Sequence, residues 1–123
     1  MKISNAESLV MEALWDNSPR AAEDIVAVVA EPNGWTEATV KTLINRLLTK
    51  GAIAAQKDGR RYLYQPVIER DAYVTAESEG VLSRLFDGRL APLVSHFSEQ
   101  QKLTPQDIAE LKALIERLDD DGR

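Results

Sequence analysis

The chain has 123 residues, of which 44% are hydrophobic and 28% charged, a balance typical of a folded globular protein with one domain or a small domain and an appended arm. It contains no cysteine and a single histidine, His96, so disulfides, thiol catalysis and thiolate metal sites are excluded, and a multi-histidine zinc site within one chain is disfavoured. No apolar run approaches the roughly 20 residues of a membrane-spanning helix, and the N-terminus lacks a signal-peptide pattern. We therefore expect a cytoplasmic protein that is not an enzyme, has no cofactor or metal, and does not insert into a membrane.

The net charge of −5 is unevenly distributed along the chain. Residues 1–35 carry a net charge of −4, residues 36–62 a net charge of +4, and residues 63–123 a net charge of −5. A single basic segment in an acidic protein is typical of a localised contact with a polyanion, although a window of this size also arises by chance.

Three predicted helices come first, each marked by apolar residues at helical spacing. Ser4 and Glu7 form a capping-box pattern at the start of the first helix. The third begins after the N-cap residue Thr36 and ends at Gly51, which occupies a C-cap position. The predicted ranges are 5–16, 22–30 and 37–50, the second ending before the turn-forming residues 31–34.

Two short extended segments follow, at residues 53–57 and 61–65. The residues between them begin with Asp58-Gly59, a strong hairpin-turn signal. Three helices followed by a β-hairpin is the order of a winged helix, in which the third helix is the recognition helix and the hairpin is the wing. The basic segment 36–62 covers these two elements.

The remainder of the chain is acidic, and its pattern predicts three helices, at about residues 67–86, 90–97 and 105–119. Because three such helices form a marginal core alone, we expect them to dimerise. The predicted fold class is mainly α with a small β-hairpin wing: a winged helix-turn-helix DNA-binding domain over residues 1–68 and a helical dimerisation domain over residues 69–123. The predicted dimer-interface residues are Leu85, Leu93, Phe97, Ile108, Leu111, Leu114, Ile115 and Leu118.

The polar side of the third helix carries hydroxyls, an amide and cations, the groups that contact base edges and phosphates. A solvated helix face is the alternative interpretation of this side, and a winged helix that binds protein instead of DNA is the alternative function. The residues predicted to read bases are Thr39, Thr42 and Asn45, and those predicted to contact phosphates are Lys41, Arg46, Lys50, Arg60 and Arg61. Arg46 is a candidate for both roles. Thr36, which is also the N-cap, is a further predicted DNA contact.

Several short motifs occur in a fixed order along nearly the whole chain. They are ISNAE (3–7), MEALW (11–15), TVKTLINRL (39–47), KG (50–51), YLY (62–64) and LFDG (85–88). With these motifs the chain resembles the penicillinase-repressor family of bacterial regulators. The resemblance implies a homodimeric winged-helix repressor that binds a palindromic operator in double-stranded DNA, as part of an antibiotic response.

The sequence departs from that family in two places. Copper-responsive members carry cysteine pairs near the C-terminus, and this chain has none. β-Lactam-responsive members are induced by cleavage of an Asn-Phe bond, which corresponds here to His96-Phe97. The resemblance thus suggests a membrane-bound sensor protease or its intracellular relay as a partner, but the asparagine is missing.

Overall fold

A computed structural model describes residues 1–120 of the chain. The chain forms two compact units, Met1–Val74 and Thr75–Arg123. Residues 121–123 of the predicted dimerisation domain lie outside the described residues. The predicted fold class, mainly helical with a small antiparallel sheet, is confirmed. The elements are α1 (Asn5–Asp16), β1 (Arg20–Ala21), α2 (Ala22–Asn33), α3 (Glu37–Lys50), β2 (Ile53–Asp58), β3 (Arg61–Pro66), α4 (Arg70–Leu85), α5 (Leu90–Glu99) and α6 (Pro105–Asp120).

The first unit contains a three-stranded antiparallel sheet in the order β1-β3-β2. β2 and β3 form the predicted hairpin, with Asp58 opposite Arg61. Gly59 is the first of the two turn residues between the strands and has a φ of 65°, a left-handed conformation that glycine adopts without strain. β1 was not predicted, because two residues are too few to show an alternating pattern; it pairs Arg20 with Tyr64.

The core of the first unit is formed by the apolar faces of α1, α2 and α3, closed on one side by the start of β2. The capping box at the start of α1 is present: the Ser4 hydroxyl accepts a hydrogen bond from the Glu7 amide, and the Glu7 carboxylate accepts one from the Ser4 amide at 2.8 Å. Fully buried side chains in this core include Val10, Met11, Leu14, Ile25, Val40, Ile44 and Leu47.

The predicted end of α2 is wrong by one turn. The helix continues to Asn33, with Pro32 inside it, and is capped by Gly34 in the left-handed conformation, at a φ of 65°. Pro32 has no amide hydrogen, so the last turn of the helix lacks one of its hydrogen bonds. The Asn33 side chain and the Gly34 amide then satisfy carbonyls of that turn, including that of Val29.

The predicted start of α4 is also wrong, by three residues. Residues 67 and 68 form a bend instead of a helical turn, because the Val67 amide donates to the Ala52 carbonyl at 2.9 Å and the Trp15 indole donates to the Ile68 carbonyl at 2.8 Å. The Trp15 ring packs against Tyr73, with ring centroids 5.4 Å apart. The first turn of α4 is therefore attached to α1 within the first unit.

The second unit consists of the rest of α4 with α5 and α6. None of its described residues, 75–120, is buried. A reciprocal pair of hydrogen bonds between Thr104 and Asp107 caps α6, at 3.0 and 3.1 Å. Among residues 1–120, no helix is both long enough and apolar enough to cross a membrane. The exposed large apolar side chains of this unit are Leu85, Leu90, Phe97, Ile108, Leu114, Ile115 and Leu118.

Candidate nucleic-acid interface

α3 is fixed in the first unit by its apolar stripe and by a cap at each end. The Thr36 hydroxyl accepts a hydrogen bond from the Thr39 amide at 3.2 Å, so the N-cap that the sequence predicts is present. Gly51 closes the other end in the left-handed conformation. Because Val40 and Ile44 point into the core, the remaining side of the helix faces outward.

The polar side chains of α3 differ in what they already bind. The Thr42 hydroxyl donates to the Ala38 carbonyl at 3.0 Å, and the Lys41 ammonium lies 3.2 Å from the exposed Glu37 carboxylate. Within residues 1–120, the exposed side chains of Asn45 and Arg46 have no hydrogen-bond or ion-pair partner. These two groups are therefore the ones on α3 that are most available to a ligand.

Two shallow grooves border this outward face. One, of about 320 Å³, runs along α3 and is lined by Thr42, Asn45, Arg46, Thr49 and Lys50. The other, of about 160 Å³, lies between α3 and the wing and is lined by Ala22, Lys41, Ile44, Asn45 and Tyr64. Asn45 is the polar side chain that borders both.

The two wing arginines have different surroundings. The Arg61 guanidinium lies 3.7 Å from the Glu23 carboxylate and 3.5 Å from that of Asp58. Arg60, at the hairpin turn, is exposed and has no ion-pair partner in the part of the chain that the structure describes. Arg60 is thus the freer of the two wing arginines. Tyr64 packs against the core.

Lys50 has a partner that the sequence did not reveal. Its ammonium donates to the Glu7 carboxylate and, at 2.8 Å, to the Lys2 carbonyl. The Glu7 side chain is 2% exposed and that of Lys50 35%. This ion pair attaches the end of α3 to the start of α1. The capping box predicted a local role for Glu7, but no local signal identifies a partner 43 residues away.

The Glu7 carboxyl is ionised in this environment. Burial alone raises its pKa, but the hydrogen bonds from Lys50 and Ser4 and the Lys50 charge outweigh that effect. The pKa is therefore held below its ordinary value of 4.5. The second carboxylate oxygen of Glu7 is buried without a hydrogen-bond partner in residues 1–120. The cost of burying this negative charge is therefore offset mainly by the positive charge of Lys50.

His96 and Phe97 lie near the end of α5, in the second unit. The His96 ring is 6.2 Å from that of Phe86 and 5.6 Å from that of Phe97, measured between centroids. Both His96 and Phe97 are exposed, and the bond between them is helical.

Comparison with known proteins decides the family. The sequence pattern of the penicillinase repressor family matches residues 3–117. The chain belongs to this family. The penicillinase repressor of Bacillus licheniformis is 31% identical over 115 residues, which cover 94% of this chain and 90% of that protein. The methicillin resistance regulatory protein MecI of Mammaliicoccus sciuri is 28% identical over 116 residues, covering 94% of both.

Solved structures agree with this assignment for the first unit. The DNA-binding domain of the repressor BlaI is 32% identical, with a TM-score of 0.54, and the match covers 58% of this chain and 88% of that one. The monomeric Bacillus licheniformis BlaI in complex with the blaP half-operator is also 32% identical, with a TM-score of 0.53 and coverages of 59% and 89%. This member of the penicillinase repressor family is a DNA-binding transcriptional repressor with a winged-helix fold.

Proposed function

We propose that this repressor acts as a homodimer on a palindromic operator, which it contacts through the outward face of α3 and through the wing. The observation that carries the proposal is that the exposed side chains of Asn45 and Arg46 have no partner among residues 1–120. Both lie within residues 36–62, the basic segment of an acidic chain. An amide and a guanidinium form bidentate hydrogen bonds with adenine and guanine edges, respectively, in the major groove.

The contacts divide by chemistry. Asn45, with the hydroxyls of Thr39 and Thr42 beside it, reads bases, and each hydroxyl oxygen retains acceptor capacity after its contact within the helix. Lys41 and Arg60 contact phosphates, since a flexible cation on an exposed surface contributes attraction without base selectivity.

The same division covers the other predicted contacts. Arg46 serves either purpose, and Thr36 presents the free amides at the start of α3 to a phosphate. Arg61 reaches DNA only by exchanging its pairs with Glu23 and Asp58, both exposed carboxylates, for a phosphate.

The second unit supplies the dimer contact. Its helices leave large apolar side chains in water, and an apolar groove of about 450 Å³ runs between α5 and α6, lined by Leu93, Phe97 and Leu111 among others. A contiguous apolar surface on a small helical unit favours association with a second copy, because association removes that surface from water. A symmetric dimer also doubles the DNA contacts and fixes the spacing of the half-sites.

A mobility-shift titration of the full chain tests the proposal. Operator-like duplexes are first selected from a random pool, and each variant is then titrated against the selected duplex and against a scrambled one. Asn45→Ala and Arg46→Ala should weaken binding to the selected duplex, by roughly ten- to a hundredfold for a base-reading contact. Glu31→Ala, at an exposed position of α2 outside the proposed face, is the matched control and should bind as the wild type does.

The opposite results would overturn this assignment. Wild-type protein that shows no preference for any duplex would favour a protein-interaction module. Equal weakening by the control and by the two α3 variants would mean that the recognition face lies elsewhere.

We also propose that release from DNA follows a cut at the His96-Phe97 bond. Such a cut would separate α6 from the rest of the chain and so remove its apolar stripe from the dimer. Loss of bivalent binding can cost on the order of 10²–10⁴ in avidity. Immunoblots of the host before and after β-lactam exposure test this: a shortened fragment is expected, and a persistent full-length band while target genes are induced would refute cleavage.

A further inference from the structure

The three cations of α3 are presented to solvent in different ways. Arg46 is exposed and unpartnered in residues 1–120, whereas Lys41 and Lys50 each have a carboxylate partner. The Lys41 pair is a surface pair, with the Glu37 side chain 63% exposed. A phosphate can displace such a carboxylate at little cost, because both charges remain in water.

The Lys50 pair cannot open in the same way. The Glu7 side chain is 2% exposed, and its Oε1 already accepts the Ser4 amide. If Lys50 turned towards a phosphate, it would leave a buried carboxylate without a counter-charge, which is strongly unfavourable. Yet Lys50 lines the same groove as Asn45 and Arg46, so it borders the proposed DNA-binding face.

We propose that Glu7 is a positioning residue, which holds Lys50 away from DNA phosphates and thereby lowers the affinity of the α3 face for DNA of any sequence. Sequence-independent binding depends on how many phosphates the protein neutralises. Base reading by Asn45 does not require the Lys50 charge. Masking one cation therefore weakens binding to operator and non-operator DNA alike, while the base contacts that distinguish the two are retained.

The inference rests on the proposed DNA-binding function and concerns a residue that does not touch DNA. It also changes the expectation for Lys50. The sequence predicts a phosphate contact there, whereas the Glu7 pair gives Lys50 the role of a masked charge in the wild-type protein.

Salt-dependent binding to a random-sequence duplex pool tests the inference. Full-length wild type and Glu7→Gln are titrated between 50 and 200 mM salt. Glutamine has nearly the same size and can still accept the Ser4 amide, but it releases the Lys50 charge. The slope of log K against log salt should steepen by about 0.9 for each protomer on the DNA, and binding at 50 mM salt should tighten roughly tenfold per protomer. An unchanged slope would overturn the inference.

Two further variants separate masking from other effects. Glu12→Gln is the matched control: it removes the same charge from the exposed side of α1, where Glu12 pairs with Arg70, and should change the slope far less. Lys50→Gln should leave the wild-type slope unchanged, since a masked cation contributes no phosphate contact. A decrease of about 0.9 for Lys50→Gln would show that Lys50 contacts DNA directly and would refute masking.

Thermal unfolding of each variant establishes that it is folded at the assay temperature. Lys50→Gln leaves the buried Glu7 carboxylate without its counter-charge, so if that variant is unfolded there, the comparison of wild type with Glu7→Gln decides alone. Wild-type protein that binds neither the random pool nor a selected duplex would refute the proposed function itself. Wild-type binding together with an unaltered Glu7→Gln slope would refute only the role of Glu7.

Discussion

Replacing Ile115 with aspartate should convert the proposed dimer into monomers while the first unit stays folded. Ile115 lies on α6 and is 55% exposed in the protomer, so about half of its side chain is left to bury on association. Full burial of such a side chain contributes about 1.5–3 kcal/mol, and half of that at two copies per dimer gives a loss of about 1.5–3 kcal/mol. At 1.4 kcal/mol per tenfold change, the dissociation constant rises roughly ten- to a hundredfold, before the added cost of burying a carboxylate.

Sedimentation equilibrium at micromolar concentration measures this change. Ala113→Asp is the matched control, because it introduces the same charge on the opposite side of α6 by helical spacing. It should sediment as a dimer. The reasoning fails if the wild type is monomeric, or if Ile115→Asp is as dimeric as the wild type.

Three further predictions concern the first unit. Asn45→Ala should cost about 1–3 kcal/mol in binding to a selected operator and almost nothing in binding to random duplexes, as measured by fluorescence anisotropy. Trp15→Phe should lower the free energy of unfolding by about 0.5–1.5 kcal/mol, because the hydrogen bond to the Ile68 carbonyl is lost while most of the ring is retained; urea denaturation measures it. Ionised Glu7 stabilises the fold above pH 4.5, and this contribution is lost as the pH falls through its lowered native pKa. In Glu7→Gln the free energy of unfolding should therefore fall less steeply at acid pH, as measured by circular dichroism.

Local signals in the sequence predicted the elements that form the interface. The Ser4–Glu7 capping box, the Thr36 cap and the Asp58-Gly59 turn each depend on residues within a few positions of one another. The apolar stripe of α3 follows the helical period, so its polar side could be identified as the outward face without coordinates. The position of the recognition helix was predictable for these reasons.

Contacts between distant parts of the chain were not predictable in the same way. The hydrogen bond from Trp15 to Ile68 spans 53 residues and delays the start of α4, which an apolar pattern alone placed at Val67. The pair of Glu7 with Lys50 spans 43 residues and gives a carboxylate partner to a cation that charge counting assigns to DNA. Composition identifies a charge, but only the fold identifies its partner.

Selection of binding sites from a random duplex library by the full-length protein tests the central claim most directly. A homodimeric winged-helix repressor should enrich an inverted repeat whose half-sites lie one helical turn, 10–10.5 base pairs, or a multiple of it apart. Asn45→Ala should relax the preference at the same position of both half-sites, because each protomer presents the same side chain. Enrichment of a single, non-repeated element would contradict the symmetric dimer, and the absence of any enriched sequence would contradict base recognition by α3.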